Sequence, residues 1–158
     1  MNKLWAPWRI KYIQKPKSKK CILCLASKNK KSDKRLFVIK RGEYSFSLLN
    51  IYPYNSGHFM VSPIRHVKKL EELKQEEVLD LFNVIKMTKR LTDKVLKPKG
   101  YNIGINLGRI AGAGIDNHIH IHVVPRWGGD SNFMPVISNT KVISQSLGDL
   151  YNRLTKIK

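Results

Sequence analysis

The chain has 158 residues and a mass of 18.3 kDa, and 42% of its residues are apolar, which suits one compact domain with a single core and would crowd two. Thirty Lys and Arg stand against eleven Asp and Glu, a formal charge of +19. No stretch approaches the ~18 apolar residues of a membrane span, MNKLWAPWRI lacks the apolar centre of a secretory leader, and two cysteines are too few for a disulfide-built fold, so a cytoplasmic protein with no membrane partner is expected.

The charge is unevenly spread. Residues 1–41 hold fourteen bases and one acid, Asp33. One reading makes this arm a partner for polyanions such as nucleic acid. The favoured reading is a solvated lysine surface, because Lys outnumbers Arg 22 to 8 and Arg is preferred for bidentate phosphate recognition. The whole chain, 1–158, is expected to form one domain whose basic arm, 1–35, carries a Cys-x-x-Cys knuckle at Cys21 and Cys24 in an otherwise exposed loop over 15–35.

Downstream, LFVIK (36–40) and EYSFSLLN (43–50) read as strands joined by the Arg41-Gly42 turn. A turn-rich segment, Tyr52 to Gly57, then precedes the apolar strand HFMVSP, which Pro63 ends. From Gln75 to Leu96 the period changes: Val78, Leu81, Phe82 and Ile85 recur every three or four residues while Glu76, Glu77, Asp80, Lys86 and Lys89 fill the other face. That spacing predicts a long helix, stopped by Pro98 and Gly100. YNIGINL (101–107) and HIHIHVVPR (118–126) alternate as strands around a glycine-rich loop, and residues 141–154 carry helical spacing. An α+β domain follows, with an antiparallel sheet of about five strands, one long central helix and a C-terminal helix, the helices on one side.

In a strand, His118, His120 and His122 project to one face while Ile119, Ile121 and Val123 enter the core. Each imidazole titrates near neutral pH and can act as base, nucleophile or metal ligand. Just upstream, Gly108, Gly112 and Gly114 bracket a loop whose backbone N–H groups are expected to cradle an anion. An anion cradle beside a row of imidazoles suits attack by a neutral histidine on a phosphoryl group. Cys21 and Cys24, on their own, leave metal and redox chemistry open.

HIHIHVV resembles the His-φ-His-φ-His-φφ signature of the histidine triad family of nucleotide hydrolases and transferases, and GHFMVSP (57–63) is similar to that family's Gly-His strand. The strings LNIYPYNSGH, GINLG, HVVPRWGGDSNF and LWAPWR look most like the bacterial branch that includes diadenosine tetraphosphate phosphorylases. The resemblance implies a histidine-triad fold in which His120 attacks the α-phosphate and His122 and Asn106 hold the phosphates. It further implies Asn50 at the ribose and His58 near the nucleotide, unless His58 is a buried histidine satisfied by backbone. Gly112 and Gly114 line the phosphates, Tyr52 and Tyr54 the base, and Trp127 either flanks the substrate or packs structurally. Gly114 is a departure, since many members carry Gln or Ser there; leaving-group protonation then falls to His122, a loop N–H or the leaving phosphate itself. The resemblance also implies a structural zinc held by Cys21, Cys24, His66 and His118, and a homodimer.

The expected activity is cleavage of dinucleoside polyphosphates, diadenosine tetraphosphate plus inorganic phosphate giving ATP plus ADP, through a nucleotidyl-histidine. Water as acceptor, or a nucleoside phosphoramidate as substrate, is the runner-up. A basic zinc-containing nucleic-acid-binding module is the rival from another class.

Overall fold

The computed structural model describes residues 21–130, 143 and 145–157. The segment 1–20, and with it most of the basic arm and the turn formers before Cys21, lies outside the described residues. Strands β1 (Val38–Arg41) and β2 (Ser45–Leu49) form the expected hairpin, with a bulge between Val38 and Lys40. At its turn Gly42 leaves room for Asp80: a Cβ there would collide with the carboxylate, which accepts from the Tyr44 N–H (2.9 Å) and the Ser45 hydroxyl (2.7 Å). Strand β3 (Phe59–Pro63) pairs with β2, and β5 (Ile121–Arg126) lies between β3 and β4 (Gly100–Ile105). The five strands are antiparallel in the order β1-β2-β3-β5-β4.

Because side chains alternate along each strand, the sheet has two buried faces. Ile39, Leu49, Phe59, Val61, Ile121 and Val123 meet the long helix α3 (Gln75–Leu96) and the C-terminal helix α4 (Leu147–Lys156). Helix α3 buries Glu77, Leu81, Val84, Ile85, Thr88, Leu91 and Thr92. Of the expected stripe Leu81 and Ile85 face the sheet, whereas Val78 and Phe82 are exposed and Glu77, expected on the polar face, is buried, so the buried face is rotated from the one the spacing suggests. It ends at Lys97, in the left-handed region (φ 49°), just before Pro98. Helix α4 starts at Leu147, where the Ser146 hydroxyl accepts from the Asp149 N–H (3.1 Å), and buries Leu150, Tyr151 and Leu154. Residues 141, 142 and 144 of the expected helix lie outside the described residues.

The opposite face departs from expectation. Val38, Phe46, Leu48 and Met60 are covered by a short helix, α1 (Ile22–Lys28), followed by a one-turn helix α2 (Asp33–Leu36). The exposed loop expected over 15–35 is therefore helical where it is described, and the helices do not all lie on one side of the sheet. Leu23 and Ala26, three residues apart and fully buried, supply the apolar stripe, while Lys28, Lys30, Lys31 and Lys34 are exposed. Arg41 holds this layer down, donating to Asp33 and to the carbonyls of Ala26 (2.6 Å) and Ser27 (3.0 Å).

A second departure concerns the triad. The strand expected over 118–126 pairs only from Ile121. Before it, backbone carbonyls serve side chains instead of a ladder: His118 O accepts from the His120 ring (2.9 Å) and Ile119 O from the Ser62 hydroxyl (2.8 Å).

Candidate active site and metal cluster

The register places the chemistry on the α1 face of the sheet. Met60 lies opposite His122, Leu49 opposite Phe59, and Gly104 opposite His122 on the other flank. Asn50 and His58 extend the β2–β3 pairing by one step, joined by Asn50 N–H to His58 O (2.9 Å). Asn106 follows the last pair of the β4–β5 ladder, Ile105 with Ile121, by one residue. A Cβ on Gly104 would meet nothing within 4 Å, so the face beside His122 is open.

Hydrogen bonds assign the tautomers of the imidazoles. The Tyr54 N–H donates to His58 Nδ1 (3.1 Å), which makes Nδ1 an acceptor and puts the proton on Nε2. His58 Nε2–H then donates to His122 Nδ1 (2.9 Å), so His122 carries its own proton on Nε2. His120 Nδ1–H donates to the carbonyl of His118 (2.9 Å), leaving a lone pair on Nε2. The face thus presents one nucleophilic nitrogen beside one N–H donor, with the His120 and His122 ring centroids 4.9 Å apart.

Burial keeps these rings neutral. His58 is pushed down to about 3 by desolvation, then by the neighbouring His122 and His120; His122 falls to about 4 by desolvation and by His120. His120, 3% exposed, is also lowered by desolvation, partly opposed by its bond to the His118 carbonyl. Tyr54, itself largely exposed, lays its ring over His58 (centroids 4.7 Å) and His122 (5.8 Å). Gly57 permits the turn that delivers His58: its φ is +74°, and a Cβ there would lie 2.5 Å from Leu96 Cδ1.

His58 is both buried and satisfied by backbone, yet it also orients His122. The pair follows from the β3–β5 register, which no spacing along the chain reveals. Asn50 is buried, its Oδ1 accepting from the Tyr52 N–H (2.9 Å) and its Nδ2 3.4 Å from His58 Nδ1. Gly108 and Gly112 have φ of +83° and +90°, but the N–H groups of Gly112 and Ala113 donate within the loop, to Arg109 O (2.9 Å) and Gly108 O (3.2 Å). Those two donors are therefore not aimed at a ligand. Gly114 lies exposed on the same loop. Trp127 directly follows β5, with its indole N–H donating to Leu96 O at the end of α3 (3.2 Å).

The knuckle joins this face at His118. Cys21, Cys24, His66 and His118 converge so that their ligand atoms all lie within 4.8 Å of one another. Cys21 Sγ is 3.3 Å from His118 Nδ1, Cys24 Sγ 3.5 Å from the same atom, and Cys24 Sγ 3.0 Å from His66 Nδ1. Two sulfurs and two nitrogens about 2.0–2.3 Å from one tetrahedral ion stand roughly 3.5 Å apart, so the quartet fits a zinc-sized site. His118 Nε2–H donates to Pro63 O (3.0 Å), which turns Nδ1 toward the thiols, and burial lowers the ring to about 4, the neutral form a metal needs. Beneath His66, buried Glu77 receives Arg65 in two bonds (2.8 and 2.7 Å), fixing the segment after β3 to the start of α3. Sequence reasoning did not find that clamp, because both residues read as ordinary surface charge.

Comparison with known proteins agrees with this geometry. The HIT domain model matches residues 31–129. The chain is 40% identical over 156 residues to an AP-4-A phosphorylase of Mycobacterium tuberculosis, covering 94% of this chain and 80% of that protein. It is 35% identical over 89 residues to the asymmetrical bis(5'-nucleosyl)-tetraphosphatase of Schizosaccharomyces pombe, covering 56% of this chain and 48% of that one. Among solved structures, a Zn-bound histidine triad family protein from Mycobacterium smegmatis superposes with a TM-score of 0.68 at 27% identity, over 86% of this chain and 91% of that one. With its strand order, its paired imidazoles and a family match spanning more than half its length, the chain belongs to the histidine triad (HIT) family.

Proposed function

We propose that the protein cleaves dinucleoside polyphosphates by transferring a nucleotidyl group through His120 to inorganic phosphate. The observation that carries this is the tautomer pattern: a lone pair on His120 Nε2 beside the outward N–H of His122, on an open face. Similarity to a phosphorylase along nearly the whole chain supports phosphate as acceptor.

With diadenosine tetraphosphate, His120 Nε2 attacks the α-phosphorus; the N–P bond forms as the bond to the bridging oxygen breaks, and ATP leaves. A phosphate oxygen then attacks the same phosphorus, the N–P bond breaks with its electron pair returning to Nε2, and ADP is released. His122 Nε2–H and Asn106 hold the α-phosphoryl oxygens. Asn50 meets the ribose through its Nδ2, since its Oδ1 is engaged by Tyr52. Because Gly114 offers no side chain to the leaving oxygen, its proton comes from His122 or the phosphate chain carries the charge itself. Cys21, Cys24, His66 and His118 would hold a structural zinc, which would supply a link between α1 and the triad segment rather than a site for substrate.

The partner copy is a second chain of this protein. Strand β4 is one of the two sheet edges, with Ile103, Ile105 and the following Leu107 exposed, and an uncovered apolar edge favours pairing. The acceptor is decided by incubating the protein with diadenosine tetraphosphate with and without phosphate: ADP and ATP that require phosphate support the reading, whereas AMP and ATP without it make the protein a hydrolase. His120→Ala is expected to cut turnover at least about a thousandfold with the fold intact; substantial residual turnover removes the nucleophile assignment.

A further inference from the structure

At the root of the glycine loop lies an open cavity of about 250 Å³ whose walls include Asn106, Gly108, Asp116 and His118, with Lys68 and Lys69 from the segment after β3. It shares Asn106 with the candidate catalytic face and His118 with the metal cluster. The lysine segment is fixed: the Ile119 N–H donates to Val67 O (2.8 Å), and the Glu72 carboxylate accepts from the backbone N–H groups of Lys68 (3.3 Å) and Lys69 (3.4 Å). The two ammonium groups belong to exposed residues, and among the described residues neither has a carboxylate within salt-bridge distance. Three acids flank the lysines: Asp116, which Arg109 engages and near which Lys68 also lies, Glu71, and Glu72, whose carboxylate sits on the lysines' own backbone N–H groups.

Transfer through His120 is an in-line substitution at phosphorus, so the outgoing oligophosphate and the incoming acceptor occupy one place, opposite Nε2. Both are polyanions, and with Gly114 in the loop no side chain there meets them. Cationic side chains lining an open cleft attract such charge and raise its local concentration. We propose that the cavity between Lys68, Lys69, Asn106 and Gly108 is an anion subsite that holds the leaving polyphosphate and then the inorganic phosphate acceptor, selecting phosphate over water. This rests on the nucleotidyl-transfer reading given above. In the acceptor step a phosphate oxygen bonds to the nucleotidyl phosphorus, the His120 N–P bond breaks with its electron pair returning to the ring, and the phosphate's proton passes to solvent.

Partition of the common intermediate tests it. Diadenosine tetraphosphate is supplied at a series of phosphate concentrations, and the ratio of ADP to AMP is read for the wild type, Lys68→Ala/Lys69→Ala, and Lys86→Ala on the outer face of α3. The ratio is independent of how fast the intermediate forms. In the double variant it is expected to fall at least about tenfold at fixed phosphate, with the KM for phosphate rising by a similar factor, as for loss of charge-assisted contacts; Lys86→Ala should match the wild type. A phosphate-responsive wild type with an equally responsive double variant overturns the subsite alone, as does an equal fall in Lys86→Ala. A wild type that gives AMP at every phosphate concentration overturns the phosphorylase reading and the acceptor site with it.

Discussion

His58 illustrates how one side chain sets the chemistry of another without touching substrate. Its Nδ1 is fixed as acceptor by the Tyr54 N–H, and the proton this forces onto Nε2 determines which nitrogen of His122 carries its proton. Replacing His58 with Ala is expected to lower kcat about a hundredfold while leaving the KM for the dinucleotide within a few-fold, because His122 loses its tautomer bias rather than its position. Equal losses in kcat with His58→Ala and His58→Asn, together with an unfolded far-UV spectrum, would mean that packing alone is at stake. The same burial makes stability pH-dependent. In the unfolded chain His58 and His122 titrate near 6.5, and in the folded protein near 3 and 4. Between those values the unfolded state binds protons that the folded state refuses, so stability is full above about pH 7 and declines as pH falls through 6.5 toward 4. Each ring contributes a slope approaching 1.4 kcal/mol per pH unit, on the order of its full linkage. Urea midpoints from pH 7.5 to 5 should therefore drop in the wild type and drop less in His58→Asn; parallel curves would refute the assignment.

At the scale of elements, α1 and the metal cluster depend on each other. The helix is only seven residues long, too short to persist alone. Leu23 and Ala26 bury it from one side, and Cys21 and Cys24 tie its first turn to His66 and His118. Removing the metal with a chelator is therefore expected to expose the Phe46, Leu48 and Met60 face, raising dye binding and cutting turnover, since His118 also offers the carbonyl that orients His120. Retained turnover and an unchanged melting temperature after verified metal removal would detach the cluster from the active face. These elements also show what the chain makes legible. The extent of helix α3 reads directly, because it has punctuation at its C-terminal end, but its buried face does not: Val78 and Phe82 carry helical spacing yet are exposed, while Thr88, Thr92 and the Arg65-paired Glu77 are buried. Helix α1 does not: lysines crowd its neighbourhood, and two buried residues carry its amphipathicity. The strand start at Ile121 is hidden as well, because HIHIH alternates whether its carbonyls pair with a neighbouring strand or, as here, serve Ser62 and His120. The four side chains that converge in the candidate metal cluster are brought together by the family resemblance, yet the Arg65–Glu77 clamp is not legible, because it depends on where α3 begins relative to β3.

For the whole molecule, the sheet order leaves β4 with one side unpaired while β1, β2 and β3 lie under α3. The strand is flat enough to pair β5 along all six residues, and it exposes Ile103 and Ile105 on the face opposite Asn102, Gly104 and Asn106. Long apolar edges of this kind aggregate unless they are charged, bulged or covered, and β4 from Gly100 to Ile105 contains neither a charge nor a proline. A two-fold axis beside β4 would let the same strand of a second chain cover it and give a closed, self-complementary interface. Sedimentation at micromolar protein is thus expected to report twice the 18.3 kDa chain mass. Ile103→Lys should shift the distribution to monomer, since a lysine opposite its own symmetry mate places like charges across the interface. Its side chain projects away from His120 and His122, so a monomeric variant that keeps the ADP-to-AMP ratio places the whole reaction within one chain. A wild type that sediments as monomer at every concentration, with β4 amides exchanging as fast as a loop, would leave the edge uncovered and refute the pairing.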